Sequence, residues 1–225
     1  MEKPLRHEYK FPIGQGEYLG LRSRLSVLLH RDSHAGSDGF YRIRSVYFDN
    51  TDDKALREKL DGLPRREKFR VRWYNGDNSF ILLEKKSKIN GLCSKESCLL
   101  TADEAKRLFT GNTGWMRSDP RELVKELAVK MDLQGLRPRT VVDYDREAFI
   151  FAPGNVRVTL DSNIRSAPFR PDVLEHPLAT VPAGGSVLLE VKYDRFLPEI
   201  VRMAVQLDSR SAGAFSKYAA ARGYN

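Results

Sequence analysis

The stretch "KFRVRWYNGD", Lys68–Asp77, sets how the rest of the chain is read. Taken with a two-residue period, Lys68, Arg70 and Arg72 share one face while Phe69, Val71 and Trp73 share the other, which is the pattern of a β-strand. A strand with one wet face normally mixes polar residues on it, but here that face is wholly cationic. "NGDN" at 75–78 then supplies a turn into the next strand.

Working outward, strand-like runs recur at Leu5–Ile13, Phe40–Asp49, Ser79–Ile89, Leu92–Leu99, Arg139–Phe151, Asn155–Arg165 and Val187–Asp194. "NG" at 90–91 and "PG" at 153–154 are the next hairpin signals. Helical spacing fills the gaps: a leucine stripe at Leu21, Leu25 and Leu28, a capping box from Thr101 to Glu104 with Gly111 as a stop, and "DPRELVKELAVKM", read with Asp119 as cap and Pro120 as first helical residue. "LPEIVRMAVQL" and "GAFSKYAAAR" follow. The Pro/Gly-rich stretch 177–185 reads as a loop rather than a boundary, because a strand still follows it. Residues 1–225 are therefore expected to form a single domain.

Nearly every strand repeats the opening pattern. Glu8 and Lys10 share a face with Arg6; Arg42 and Arg44 oppose Tyr41 and Ile43; Glu84, Lys86 and Lys88 oppose Leu83 and Ile89; Arg157 alternates with Val158; Glu190 and Lys192 alternate with Val191. One such strand signifies only a solvated face. Many aligned cations in one phase repel one another unless an anion lies between them. Aromatics such as Phe69, Trp73, Tyr41 and Tyr193 fall in the apolar phase and are expected under helices. The expectation is an α+β protein: a sheet, or a closed, eight-stranded antiparallel β-barrel, with helices packed on the outside and a cationic inner face holding a few carboxylates.

Composition narrows the partner. The 225 residues carry a formal net charge of +8 with 30% charged side chains, favouring an anionic ligand. Two cysteines, Cys93 and Cys98, make neither a disulfide scaffold nor a zinc knuckle. No apolar run approaches a membrane span and "MEKPLRHEYK" has no signal-peptide core, so a cytoplasmic protein is expected. There is no P-loop pattern, no dinucleotide fingerprint around "GQG" at 14–16, no metal spacing among the four histidines and no GxSxG elbow. Carboxylates in the cationic phase, Glu8, Glu84 and Glu190, suit Mg²⁺ or Mn²⁺ shared with phosphates, or ion pairs with neighbouring lysines. Nucleic acid is the least favoured partner, since stacking aromatics belong beside the basic residues and here the two occupy opposite phases.

"RHEYKF", "YRIRSVYFDN", "KFRVRWYNGD", "FILLEKKSKINGLCSKES", "DYDREAFIF", "NVRVTLDSNIRS", "LLEVKYD" and "FSKYAAAR" occur in an order that resembles the VTC polyphosphate-polymerase domain of the triphosphate tunnel, or CYTH-like, metalloenzymes. The resemblance implies a tunnel-shaped barrel, a divalent Mn²⁺ or Mg²⁺, and transfer of the terminal phosphoryl of a nucleoside triphosphate, ATP, to polyphosphate. The alternatives it leaves are a metal-dependent triphosphatase and a non-catalytic polyanion-binding module. Carried over by motif, it implies catalytic roles for Arg70, Arg72, Lys86, Arg146, Arg157 and Lys217, substrate-binding roles for Lys10, Arg42, Arg44, Lys59, Lys95 and Lys192, and metal binding by Glu190 and Glu8. Arg6 stands where the wider superfamily's ExExK strand has its first glutamate, which fits the polymerase branch better. The hairpin from Arg146 to Arg157 is one residue shorter than the family spacing, and Arg146 shares its phase with Tyr144 and Ala148, so a bulge is expected to turn it inward. No SPX-like domain is recognised within the chain. A separate membrane protein could hold it at the inner face of a membrane.

Overall fold

The computed structural model describes residues 6–36, 38–90, 92–206, 213 and 215–223; Leu5 and Gly91, expected in a strand and a turn, lie outside them. In chain order the elements are β1 (His7–Ile13), α1 (Gln15–Leu28), β2 (His30–Arg31), β3 (Tyr41–Asp49), α2 (Lys54–Leu60), β4 (Arg65–Tyr74), β5 (Asp77–Ile89), β6 (Leu92–Leu100), α3 (Ala102–Phe109), α4 (Glu122–Gln134), β7 (Arg137–Phe151), β8 (Val156–Pro168), β9 (Val181–Pro182), β10 (Val187–Tyr193), α5 (Glu199–Val205) and α6 (Lys217–Ala221). Eight long strands form one curled antiparallel sheet in the order β1-β10-β8-β7-β3-β4-β5-β6, with the short β2 and β9 paired to β7 and β8. Its two edges meet at a single antiparallel bridge between Arg6 and Cys93.

Local chemistry explains the turns. Asn75 and Gly76 sit at φ +52° and +73°, the left-handed pair that a tight hairpin needs, and Asn and Gly reach that region at least cost. Thr101 caps α3 as expected, its Oγ1 accepting from Glu104 N–H (3.1 Å) while Glu104 returns a carboxylate to the Thr101 N–H (2.8 Å). The cap expected at Asp119 does not form. Asp119 accepts instead from the Arg121 N–H two residues on (2.8 Å), a turn that delays α4 until Glu122.

The apolar phase of the sheet faces helices. Phe69, Val71, Trp73, Ile81 and Leu83 pack against Leu108, Phe109, Val124 and Leu127 of α3 and α4. Phe11, Val158, Leu160 and Val191 pack against Leu21 and Leu25 of α1 and Val201 and Val205 of α5. A third cluster joins Tyr218 and Ala219 of α6 and Leu56 of α2 to Ile43, Tyr47, Val142 and Ile164. That cluster occupies part of the barrel's inner side, so the remaining space is bounded chiefly by β1, β10, β4 and β5.

Candidate functional site

The inner side encloses one cavity of about 1210 Å³. Fourteen lysines and arginines line it against five carboxylates. That excess is larger than the net charge of the whole chain, so the remaining surface is close to balanced. The two-residue period is the cause. In β4 it sends Arg66, Lys68, Arg70 and Arg72 to the cavity, and across the hairpin Lys86 and Lys88 emerge on the same side.

Twelve of the fourteen expected site residues line this space: Lys10, Glu8, Lys59, Arg70, Arg72 and Lys86, and likewise Lys95, Arg146, Arg157, Glu190, Lys192 and Lys217. Arg42 and Arg44 do not, and their assignment is corrected. In β3 the inward residues are Tyr41 and Tyr47, one pleat step either side of Ile43 and Ser45. Arg42 and Arg44 point outward to their cross-strand partners on β7, Arg42 Nε to Asp145 Oδ1 (3.2 Å) and Arg44 in a two-point bond to Asp143 (2.8 and 2.7 Å). Arg42 is exposed and Arg44 half-buried, so alternating charge there marks a wet outer face.

Two further expectations change. Arg146 reaches the cavity in phase with Tyr144, and the bulge lies across from it in β8, where Asn163 at φ +50° shifts the register between Asp143 and Asp145. Tyr41, expected under a helix, faces the cavity with Tyr47, Tyr74 and Tyr144, so aromatics and cations do share one side. Phe69 and Trp73 pack under helices as expected.

The cations fall into two groups. Lys217 lies 2.5 Å from Asp161 Oδ2 and 3.0 Å from Glu190 Oε1. Arg146 clasps Asp161 with Nε and Nη2 (2.6 Å each). Lys192 lies 3.2 Å from Glu190, and Arg157 bonds Asp32 and the Tyr41 hydroxyl. On the opposite wall Glu84, wholly buried, takes Arg70 Nη2 at 2.5 Å and Lys95 at 2.9 Å. Arg72 donates to the Tyr144 hydroxyl (2.9 Å) and stays 3.8 Å from Glu84. For Lys59, Lys68, Lys86 and Lys88 no carboxylate partner exists among the described residues; Lys68 lies over the Tyr47 ring (5.5 Å).

Titration follows this division. Burial, Lys192 and Arg70 together drive the Lys86 ammonium well below its ordinary range. Burial also lowers Lys68, to about 8, although Tyr47 opposes it. Burial alone would raise the Tyr47 phenol, but Arg70, Lys68 and Arg72 outweigh it and hold it at about 7. Lys10 goes the other way: burial alone would lower it, yet Glu190 and Glu8 raise it.

A divalent cation could use Glu8 and Glu190. They lie diagonally across β1 and β10, where Glu8 faces Lys192 and Lys10 faces Glu190. Burial would raise both carboxyls, but the surrounding cations, Lys10 foremost for Glu8 and Lys217 for Glu190, hold them well below the carboxylate range. Glu8 Oε1 is buried and accepts no aligned hydrogen bond, though Lys10 Nζ stands 2.8 Å away. Among the described residues no group of three or more acidic, histidine or cysteine side chains gathers for a metal. These two carboxylates alone would hold a divalent cation only if its remaining ligands came from water or a bound anion.

The sequence reading did not single out Lys68, Lys88, Arg66, Asp32 or the cavity tyrosines as site residues. For Lys68 and Lys88 the period already carried the signal. For Tyr47 and Tyr144 only the strand pairing reveals it.

Known proteins share this architecture. A protein from Bacillus halodurans described as a candidate adenylate cyclase superposes with a TM-score of 0.52 at 16% identity, over 92% of this chain and 89% of its own. The PH1012 protein of Pyrococcus horikoshii superposes with a TM-score of 0.51 at 15% identity, over 94% and 96%. At such identities the likeness is one of fold. Comparison with curated protein sequences finds no match. No helix among the described residues is long and apolar enough to cross a membrane. The family profile of the VTC domain matches residues 5–224, and the chain belongs to that family.

Proposed function

We propose that the chain is a polyphosphate polymerase, moving the terminal phosphoryl group of a nucleoside triphosphate, ATP, onto a polyphosphate chain within the cavity. One observation carries the reading: lysines and arginines of separate strands converge on one space, several of them with no carboxylate partner among the described residues, an arrangement that a polyanion relieves. Phosphoryl transfer needs positioning and charge stabilisation more than covalent chemistry from the protein. An oxygen of the terminal acceptor phosphate forms the new P–O bond, the bond from the γ-phosphorus to the β–γ bridging oxygen breaks, and ADP leaves.

In this reading Arg70, Arg72, Arg146 and Arg157 hold phosphate oxygens through the guanidinium N–H groups that Glu84, Asp161 and their other partners do not take. Lys10, Lys59, Lys86, Lys95, Lys192 and Lys217 act as point charges along the chain. Mn²⁺ or Mg²⁺ bound at Glu190 and Glu8 would offset charge on the phosphates. Salt bridges from Lys217 and Arg146 hold Glu190 in place beforehand.

The test is incubation of the purified protein with ATP and Mn²⁺, followed by phosphorus NMR of the products. Long chains are expected, and the Arg70→Ala/Arg72→Ala variant should lose at least a hundred-fold in rate, as removal of preorganised donors does elsewhere. Release of orthophosphate or pyrophosphate alone would make the protein a triphosphatase. Intact ATP that is nevertheless bound would make it a sensor.

A further inference from the structure

The two ends of the β4–β5 hairpin differ in chemistry. Arg66 and Lys88 face one another near one end, with Lys59 of α2 beside them. Tyr74 and Asp77 close the other end. Eight residues of β4 separate Arg66 from Tyr74, roughly 26 Å of strand. The Arg66 end holds three cations with no carboxylate among the described residues and no aromatic ring in its adjoining cleft. At the Tyr74 end the rings run Tyr41, Tyr74, Phe80, with centroids 5.9 and 6.2 Å apart, and all three line the cavity.

Phe80 is the unexplained member. Phe80 is 47% exposed and, among the described residues, belongs to none of the three apolar clusters and meets no ring but that of Tyr74. The register of β5 breaks beside it, between the Arg72–Leu82 and Tyr74–Asp77 pairs, and such breaks re-aim side chains. The Asn75 carboxamide at the same rim spends its oxygen on the Arg42 N–H (2.8 Å) and has its NH₂ donors unspent among the described contacts. One pleat step inward from Tyr74 stands Arg72, about 7 Å along the strand, and Arg70 follows at the next step. A flat apolar ledge opening directly onto a row of guanidinium groups suits a ligand that is aromatic at one end and polyanionic at the other.

Resting on the function proposed above, we infer that the Tyr74–Phe80 rim is the platform on which the nucleobase of the incoming nucleoside triphosphate stacks. The base lies against Phe80, the Asn75 amide meets its edge, and the phosphates run inward to Arg72 and Arg70. Stacking reads a π-face that every base has, so the platform accepts nucleobases as a class and favours a nucleotide over a bare triphosphate.

Calorimetric titration of ATP and of inorganic tripolyphosphate, both without divalent metal to hold turnover off, tests this. Phe80 is exposed, so Phe80→Ala leaves the fold intact. It should weaken ATP about five- to 100-fold while changing tripolyphosphate less than two-fold, and Phe80→Trp should restore ATP binding. Equal weakening of both ligands, or ATP binding indifferent to Phe80→Ala while tripolyphosphate binds, would overturn the platform and leave the phosphate cavity standing. Failure of either ligand to bind the unaltered protein would overturn both proposals.

Discussion

Two walls of one cavity treat their positive charges in opposite ways. On the β8–β10–α6 side each cation meets a carboxylate: Arg146 with Asp161, Lys217 with Asp161 and Glu190, Lys192 with Glu190. On the β4–β5 side Glu84 serves Arg70 and Lys95, while Lys68 and Lys86 have no such partner among the described residues. Paired charges are held in place and stabilise the fold; unpaired ones strain it and await a ligand. The first wall reads as a rigid template and the second as the surface that the proposed phosphate chain would complete.

Removing one charge from each wall should separate these roles most sharply. Lys217 is buried between two carboxylates, so Lys217→Met should cost about 3 kcal/mol in a urea melt, at the low end for a broken buried pair because Arg146 and Lys192 remain. Lys86→Met should leave the ligand-free melt unchanged or raise it, and weaken tripolyphosphate about ten-fold. If Lys86→Met destabilised the protein as much as Lys217→Met, the contrast between the walls would be wrong.

A smaller effect should appear on titration. With Tyr47 held at about 7 and Lys68 at about 8, tyrosinate absorbance should emerge near neutral pH in the ligand-free protein and retreat when tripolyphosphate is added. Both groups bind protons more weakly in the folded than in the unfolded chain. The ligand-free protein should therefore gain stability as pH rises above about 7 and lose it as pH falls back. Ligand affinity should move the opposite way, falling as Lys68 discharges above about 8. An absorbance change only near the ordinary phenol range would remove Tyr47 from the cation cluster. The least effect is expected outside the cavity: Arg44→Ala, which breaks only the Asp143 pair, should cost up to about 1 kcal/mol and leave tripolyphosphate affinity untouched.

The strand pattern made most of this site readable in advance, because a period of two assigns a face without any knowledge of neighbours. Lys68, Arg70 and Arg72 share the cavity face for that reason. The period says which residues go together but not which way they point. Arg42 and Arg44 alternate as cleanly as any, and only pairing with Asp143 and Asp145 on β7 reveals that their face is the outer one. Arg146 was legible as a family position, but the inward direction of its phase was not, because Tyr144 on the same face turned out to line the cavity as well. The tyrosines fall in the same category. An aromatic ring in a strand can serve a helix-covered core, as Trp73 does, or place a hydroxyl before an arginine, as Tyr144 does. The seven-residue α2, short and flanked by turns, left no periodic trace to read.

The pairing of β1 with β10 has a bearing on biosynthesis. His7 and Tyr193 are partners though they stand 186 positions apart, and Glu190, Lys192 and Lys217 arrive later than every other charge lining the cavity. A ribosome-bound intermediate that has made the arginine-rich hairpin but not these segments displays loose basic ribbons with no enclosed space to shelter them. The enclosed cationic cavity is thus acquired only once these segments have been made, and a chain stopped before them would expose its basic strands unsheltered.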